Sequence, residues 1–172
     1  WDGGPRSLEV YTDSSFAATP ETQASHGAVM VLWNGAMMFW KSGKQPFPAL
    51  STAESELLEA IEGLQTGDAV DSMIQEHEDP YTKTLFVDNL AATGFFADGH
   101  ANWRTRHLRL RAQHVRWRIT NLDWRVRHLP GAIMIADLGT KPLPIQRTLE
   151  LKELMSMAIQ KKVEEEKKEV KE

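Results

Sequence analysis

The stretch from His26 to Gly43, HGAVMVLWNGAMMFWKSG, decides the architecture. Two apolar, β-type runs flank Asn34-Gly35, and an Asn-Gly pair between such runs is a strong signal for a two-residue hairpin turn. Upstream, SLEVYTDSS (Ser7–Ser15) alternates and ends in turn residues, so it reads as a strand stopping near Asp13. Three consecutive antiparallel strands therefore open the chain.

Downstream, Pro46 and Pro48 mark a loop before a helix that starts near Thr52. Ser51 is a good N-cap, and Glu54, three residues on, completes a capping box. Ala53, Leu57, Ala60, Ile61 and Leu64 form the core stripe of this helix, which continues past two weak points, Gly63 and Gly67, to about Gln75. TKTLFVD (Thr82–Asp88) reads as a strand, NLAATGFFA as a short helix, and Trp103–Ile119 as a longer helix with Leu108, Ala112, Val115 and Ile119 on one face. LDWRVRHL alternates as a fifth strand, and Pro130-Gly131 turns the chain. IMIADLGTKPL reads as a helical turn broken by Pro142, and PIQRTLELKELMSMAIQ as a final helix. The closing KKVEEEKKEVKE balances its charges and reads as a solvated extension. The sum is an α/β fold: a five-stranded mixed sheet layered with helices over residues 1–143, then a C-terminal helix and charged tail over 144–172.

Composition narrows the chemistry. The 172 residues are 41% hydrophobic, enough for one substantial core. There is no cysteine, which excludes disulfides, thiolate zinc sites and cysteine nucleophiles. Any metal must rest on oxygen or imidazole ligands, favouring hard ions such as Mg2+ or Mn2+. No apolar run approaches membrane-spanning length, and none of the asparagines opens a glycosylation sequon, which favours an intracellular protein. The chain begins at Trp1 without a signal peptide and reads as a piece of something longer.

Net charge is -4, yet Trp103–His128 holds eight arginines against a single acid, Asp123. Arg104, His107, Arg111, His114 and Arg118 recur on one helical stripe, suited to a phosphate backbone. The competing reading is a basic face paired with the protein's own acids. His107 and His114 are seven residues apart among arginines, a poor spacing for a metal pair. Trp103, Trp117 and Trp124 read as packing residues rather than base-stacking platforms.

Asp13 and Asp88 each close a predicted strand, and Asp137 lies in the apolar stretch AIMIADLG. Taken singly, each has an ordinary role as an Asx turn or helix cap. Together with a glutamate of the first helix they can converge at one edge of the sheet. Four carboxylates gathered there repel one another unless cations neutralise them, and two Mg2+ ions do so while clamping the attacking and leaving oxygens of a phosphoryl displacement. Glu54 and Glu56 compete for the helix position, and helical phase does not separate them; Glu59 and Glu62 read as its solvated side.

YTDSSFA, WKSGKQPFPALSTAESELLEA, LFVDNLAA, RTRHLRLRAQHVRWRI and ADLGTKPLP, in this order, resemble the ribonuclease H domain of copia-type (Ty1/copia, Pseudoviridae) retrotransposon polyproteins. The resemblance covers about Leu8 to Leu143. It implies a ribonuclease H-like fold and endonucleolytic cleavage of the RNA strand of RNA–DNA hybrids, with a metal site made by Asp13, Glu56, Asp88 and Asp137. SELLEAI matches the family's glutamate, leaving Glu54 as the cap. Ser14, Ser15, Asn89, Arg104, Arg111 and Arg118 are then the substrate-binding candidates. The resemblance also implies two Mg2+ ions (or Mn2+), 5′-phosphate and 3′-hydroxyl products, and a reverse transcriptase region in the same polyprotein. It places the protein in the cytoplasm or a virus-like particle. Two departures stand out. Arg109 occupies a position that is usually acidic, and the loop PGAIMI lacks the histidine of cellular ribonucleases H, leaving His128 structural or accessory. The alternative reading is a hybrid-binding module with a weak or silent site that supports a polymerase.

Overall fold

A computed structural model describes residues 6–18, 24–75, 80–89 and 108–155. Strands β1 (Arg6–Ser15), β2 (His26–Trp33), β3 (Ala36–Lys44), β4 (Tyr81–Val87) and β5 (Trp124–His128) form one sheet in the order β3-β2-β1-β4-β5. β1–β2 and β2–β3 are antiparallel, whereas β1–β4 and β4–β5 are parallel. Helix α1 spans Thr52–Ile74 and α2 spans Arg109–Asn121; α3 is a single turn, Asp137–Thr140, and α4 covers 145–155. This is the mixed sheet anticipated above. Arg104, Trp103, His107, most of the NLAATGFFA segment and the charged tail lie outside the described residues.

The Asn34-Gly35 turn has positive φ at both residues, 51° and 81°, the backbone a primed two-residue hairpin needs. β1 does not stop at Asp13; it runs two residues further, pairing Ser14 and Ser15 with Gly27 and His26. Asp13 is therefore held inside the ladder rather than in a loose turn.

Helix α1 starts as its capping signal dictates. Ser51 Oγ accepts a 3.2 Å bond from the Glu54 amide. Glu54 Oε2 reaches back one residue beyond the cap, accepting 2.8 Å from the Leu50 amide. The helix packs Leu57, Ala60 and Leu64 against Leu8 and Val10 of β1, Val29 and Val31 of β2, and Leu85 and Val87 of β4. Burying a leucine such as Leu57 or Leu64 contributes about 1.5–3 kcal/mol. Gly63 and Gly67, the weak points in the helical pattern, are the residues that let α1 approach. A Cβ on Gly63 would stand 2.4 Å from Thr12 Cγ2, and one on Gly67 2.6 Å from Trp124.

The other face of the sheet carries Tyr11, Ala28, Met30, Leu32 and Phe86, covered by Met134–Ala136 and Leu138. Helix α4 joins this layer: Leu151 is fully buried and Met155 packs against the cluster of Met30, Leu32 and Ile135. Arg147 of α4 donates to the carbonyls of Gly131 and Ala132, fastening the helix to the turn before α3.

Candidate active site

The parallel arrangement of β1 and β4 puts both carboxyl ends at one edge of the sheet, the usual place for a ligand in open α/β sheets. Asp13 and Asp88 stand there. The second turn of α1 brings Glu56 from one face, and α3 brings Asp137 from the other. Single ligand oxygens of Asp13, Glu56 and Asp88 all lie within 4.8 Å of one another. Asp137 is tied to this trio through Lys141, whose Nζ lies 2.7 Å from Asp137 and 3.3 Å from Asp13.

Strand alternation explains how the two faces meet. Ser14 points toward α1 and donates a 2.9 Å bond to Glu56 Oε1. Asp13 points the other way and accepts from the Thr140 hydroxyl of α3. Glu56 Oε2 is buried with no hydrogen-bond partner among the described residues. A buried orphan oxygen facing two more carboxylates is costly unless a cation completes it. The donor set, all carboxylate oxygen, suits a hard divalent ion. On these grounds the residues fit a Mg2+- or Mn2+-type site.

The electrostatics agree. Burial, reinforced by Asp13 and Asp88, pushes Glu56 up to about 8. Burial also raises Asp13, against the opposing pull of Thr140 and Lys141. Asp88 is raised by burial too, with Asp137 adding and Lys141 opposing. Acids raised mainly by desolvation and by one another are those that gain most from a bound cation.

Glu54 and Glu56 are separated by their partners. Both are buried, but Glu54 is occupied by the Leu50 amide and by a 2.6 Å ion pair with Arg111, away from the trio. Glu59, expected on the solvated side of α1, is buried: its carboxylate lies over Gly27, where a Cβ would be 1.7 Å from Oε2, and accepts 2.9 Å from Gln45 Nε2. The reason is tertiary. A glycine on β2 opens a hole that the helical pattern of α1 does not record. Glu62 is half-buried and pairs with Lys41 at 2.6 Å.

An open cleft of about 350 Å³ is lined by Asp13, Ser14, Thr52, Glu56, Asp88, Asn89 and Lys141. Ser15 is half-buried at the end of β1. A larger cleft of about 430 Å³, between β3, α1 and α2, is more apolar and includes none of the four acids. Arg111 and Arg118 of the basic stripe turn inward: Arg118 Nε lies 2.6 Å from Asp68, which also accepts 2.8 Å from Trp124 Nε1. Arg111 and Arg118 thus hold acids of α1, as the self-pairing reading supposes. His128 Nε2 lies 3.0 Å from the Asp88 carbonyl oxygen, so that nitrogen carries the proton and steadies the chain that bears Asp88. Thr140 and Lys141 were missed from sequence. The spacing of Lys141, four residues and one helical turn beyond Asp137, is the signal that pointed to it.

No family model and no curated protein sequence matches the chain. Solved structures do. It is similar to ribonuclease H1 from the halophilic archaeon Halobacterium salinarum, with 14% identity, 78% of this chain and 94% of that one covered, and a TM-score of 0.58. It is also similar to the N-terminal ribonuclease H domain of a Mycobacterium tuberculosis protein (13%, covering 90% and 97%, TM-score 0.53). A third is LC11 ribonuclease H1, isolated from compost (12%, covering 91% and 98%, TM-score 0.56). The fold is that of the ribonucleases H.

Proposed function

We propose that this protein is a metal-dependent ribonuclease H that hydrolyses the RNA strand of RNA–DNA hybrids. The observation that carries this reading is the convergence of single oxygens of Asp13, Glu56 and Asp88 within 4.8 Å, one oxygen of Glu56 being buried and unpartnered among the described residues. Asp13, Glu56 and Asp88 would hold divalent ions, which would supply charge neutralisation and Lewis acidity for an in-line phosphoryl displacement. The chain's own residues do the positioning. Ser14 fixes the Glu56 carboxylate, Thr140 fixes Asp13, and the Asp88 backbone is steadied by His128. Water adds to phosphorus as the P–O3′ bond breaks, leaving a 5′-phosphate and, after proton uptake, a 3′-hydroxyl. Asp137 completes the set of four acids from α3, Ser14 and Asn89 border the cleft as substrate contacts, and Ser15 stands next to Ser14 at the end of β1.

The order of YTDSS, STAESE, FVDNL and ADLGTKPLP along the chain supports a copia-type retroelement origin, with a reverse transcriptase region as partner and a cytoplasmic or virus-like-particle setting. No helix among the described residues is long and apolar enough to cross a membrane. The test is a substrate panel: end-labelled RNA as a hybrid, as an RNA duplex and as a single strand, each with Mg2+. Cleavage confined to the hybrid, with 3′-hydroxyl ends, supports the reading; tight hybrid binding without cleavage in Mg2+ or Mn2+ supports a silent module instead.

A further inference from the structure

Lys141 pairs with two of the four acids at once, 2.7 Å from Asp137 Oδ1 and 3.3 Å from Asp13. The two acids are fixed; the lysine is not. The Asp13 and Asp137 side chains are 1% and 11% exposed, whereas that of Lys141 is 39% exposed on a flexible four-carbon stem. Asp13 also keeps a neutral donor, Thr140, that does not depend on the lysine. Asp137 has Arg147 Nη2 at 3.9 Å. Losing the ammonium therefore leaves both carboxylates in place, Asp13 with only the neutral Thr140 donor and Asp137 with only the more distant Arg147.

We propose that Lys141 is a tethered counter-cation that bridges Asp13 and Asp137 in the metal-free protein and is displaced when a divalent ion binds, so that it sets the metal concentration at which the site fills. This rests on the metal site proposed above. A divalent ion that takes Asp13 as a ligand competes for the oxygens the ammonium holds, and two cations on one carboxylate pair repel strongly at short range. The cost of expelling Lys141 weakens metal binding. In return, the metal-free site is spared an unscreened pair of buried acids.

The experiment uses the full chain, stripped of metal, in two measurements. In the first, lysines are acylated briefly in chelator or in saturating Mn2+, and modification at each lysine is read by mass spectrometry. Lys141 should react several-fold faster with metal present, while the other lysines keep their rates; an unchanged or slowed Lys141 overturns the proposal. This measurement needs no variant and so does not depend on one folding. In the second, Mn2+ and Mg2+ binding is followed by calorimetry for the wild type, Lys141→Met and Lys141→Arg. Lys141→Met should bind metal about tenfold more tightly, and Lys141→Arg should stay near the wild type. Equal or weaker binding by Lys141→Met contradicts the proposal. If the wild type binds no metal at all, the metal-site reading itself fails and takes this inference with it.

Discussion

Ser14 Oγ donates a 2.9 Å hydrogen bond to Glu56 Oε1, joining the end of β1 to the second turn of α1 across the sheet face, while the other oxygen of Glu56 has no partner among the described residues. Half of this carboxylate is committed to the fold and half is left for chemistry. Glu54, two residues earlier, has both oxygens committed.

Exchanging each glutamate separates the two roles. Glu56→Gln should lower hybrid cleavage by at least about 10²-fold, comparable to removal of other transition-state electrostatics, with the metal-free melting temperature nearly unchanged below about pH 8, where Glu56 is itself protonated, and raised above it, where the variant avoids a buried charge. Glu54→Gln should retain cleavage but lose about 1–2 kcal/mol, since Arg111 loses its charged partner. Steady-state cleavage and urea unfolding of both variants check this.

Stability of the metal-free protein should depend on pH in a definite sense. Glu56 is raised from 4.5 to about 8, and Glu59, through burial above all, to about 7. Between pH 4.5 and these values the folded chain binds more protons than the unfolded one, so the slope of stability against pH is negative. The stabilisation is complete below pH 4.5 and is lost as pH rises through about 7 to 8. Thermal melts in chelator should therefore fall across this window, and Glu59→Gln should flatten the lower part of it. Saturating Mg2+ should reverse the fall, because metal binds the ionised acids. A melting temperature that climbs with pH in chelator contradicts the assignment.

The two glycines of α1 should resist the substitution that helix propensity favours. Gly63→Ala and Gly67→Ala place a methyl 2.4 Å from Thr12 and 2.6 Å from Trp124. Overpacking of this kind costs about 1–3 kcal/mol, outweighing the roughly 1 kcal/mol that alanine contributes in an open helix. Denaturant midpoints for the two variants decide which effect wins.

Arg118 should matter to stability before it matters to binding. Its ion pair with Asp68, which also receives Trp124 Nε1, is largely buried. Arg118→Ala should cost about 1–3 kcal/mol by leaving Asp68 short of a partner, and should leave the salt dependence of hybrid binding nearly unchanged. A clear fall in the salt slope would instead put its guanidinium on a phosphate.

Much of the fold was legible because local signals agreed. Asn34-Gly35 marks the hairpin, Ser51 and Glu54 the start of α1, and Thr82–Asp88 the fourth strand. Asp13 and Asp88 were visible as strand-end acids and Asp137 as an acid in an apolar stretch, and the resemblance carried by SELLEAI separated Glu56 from Glu54. What escaped was tertiary. Gly27 makes room for Glu59, Gly63 and Gly67 make room for β1, and Asp68 gathers Arg118 and Trp124 from 50 and 56 residues away. None of these leaves a periodic trace in its own segment. Lys141 did leave one, the i,i+4 spacing from Asp137, overshadowed by the acids beside it.

The most direct test of the acid cluster as a metal-dependent nuclease site is the cleavage rate of a labelled RNA–DNA hybrid by the wild type and by Asp88→Asn. Both are measured in Mg2+ and in chelator, with folding of each protein verified. Cleavage by the wild type that chelation abolishes, and a loss of at least about 10²-fold in Asp88→Asn, is the predicted result. Hybrid cleavage that survives in Asp88→Asn or in chelator would contradict the account.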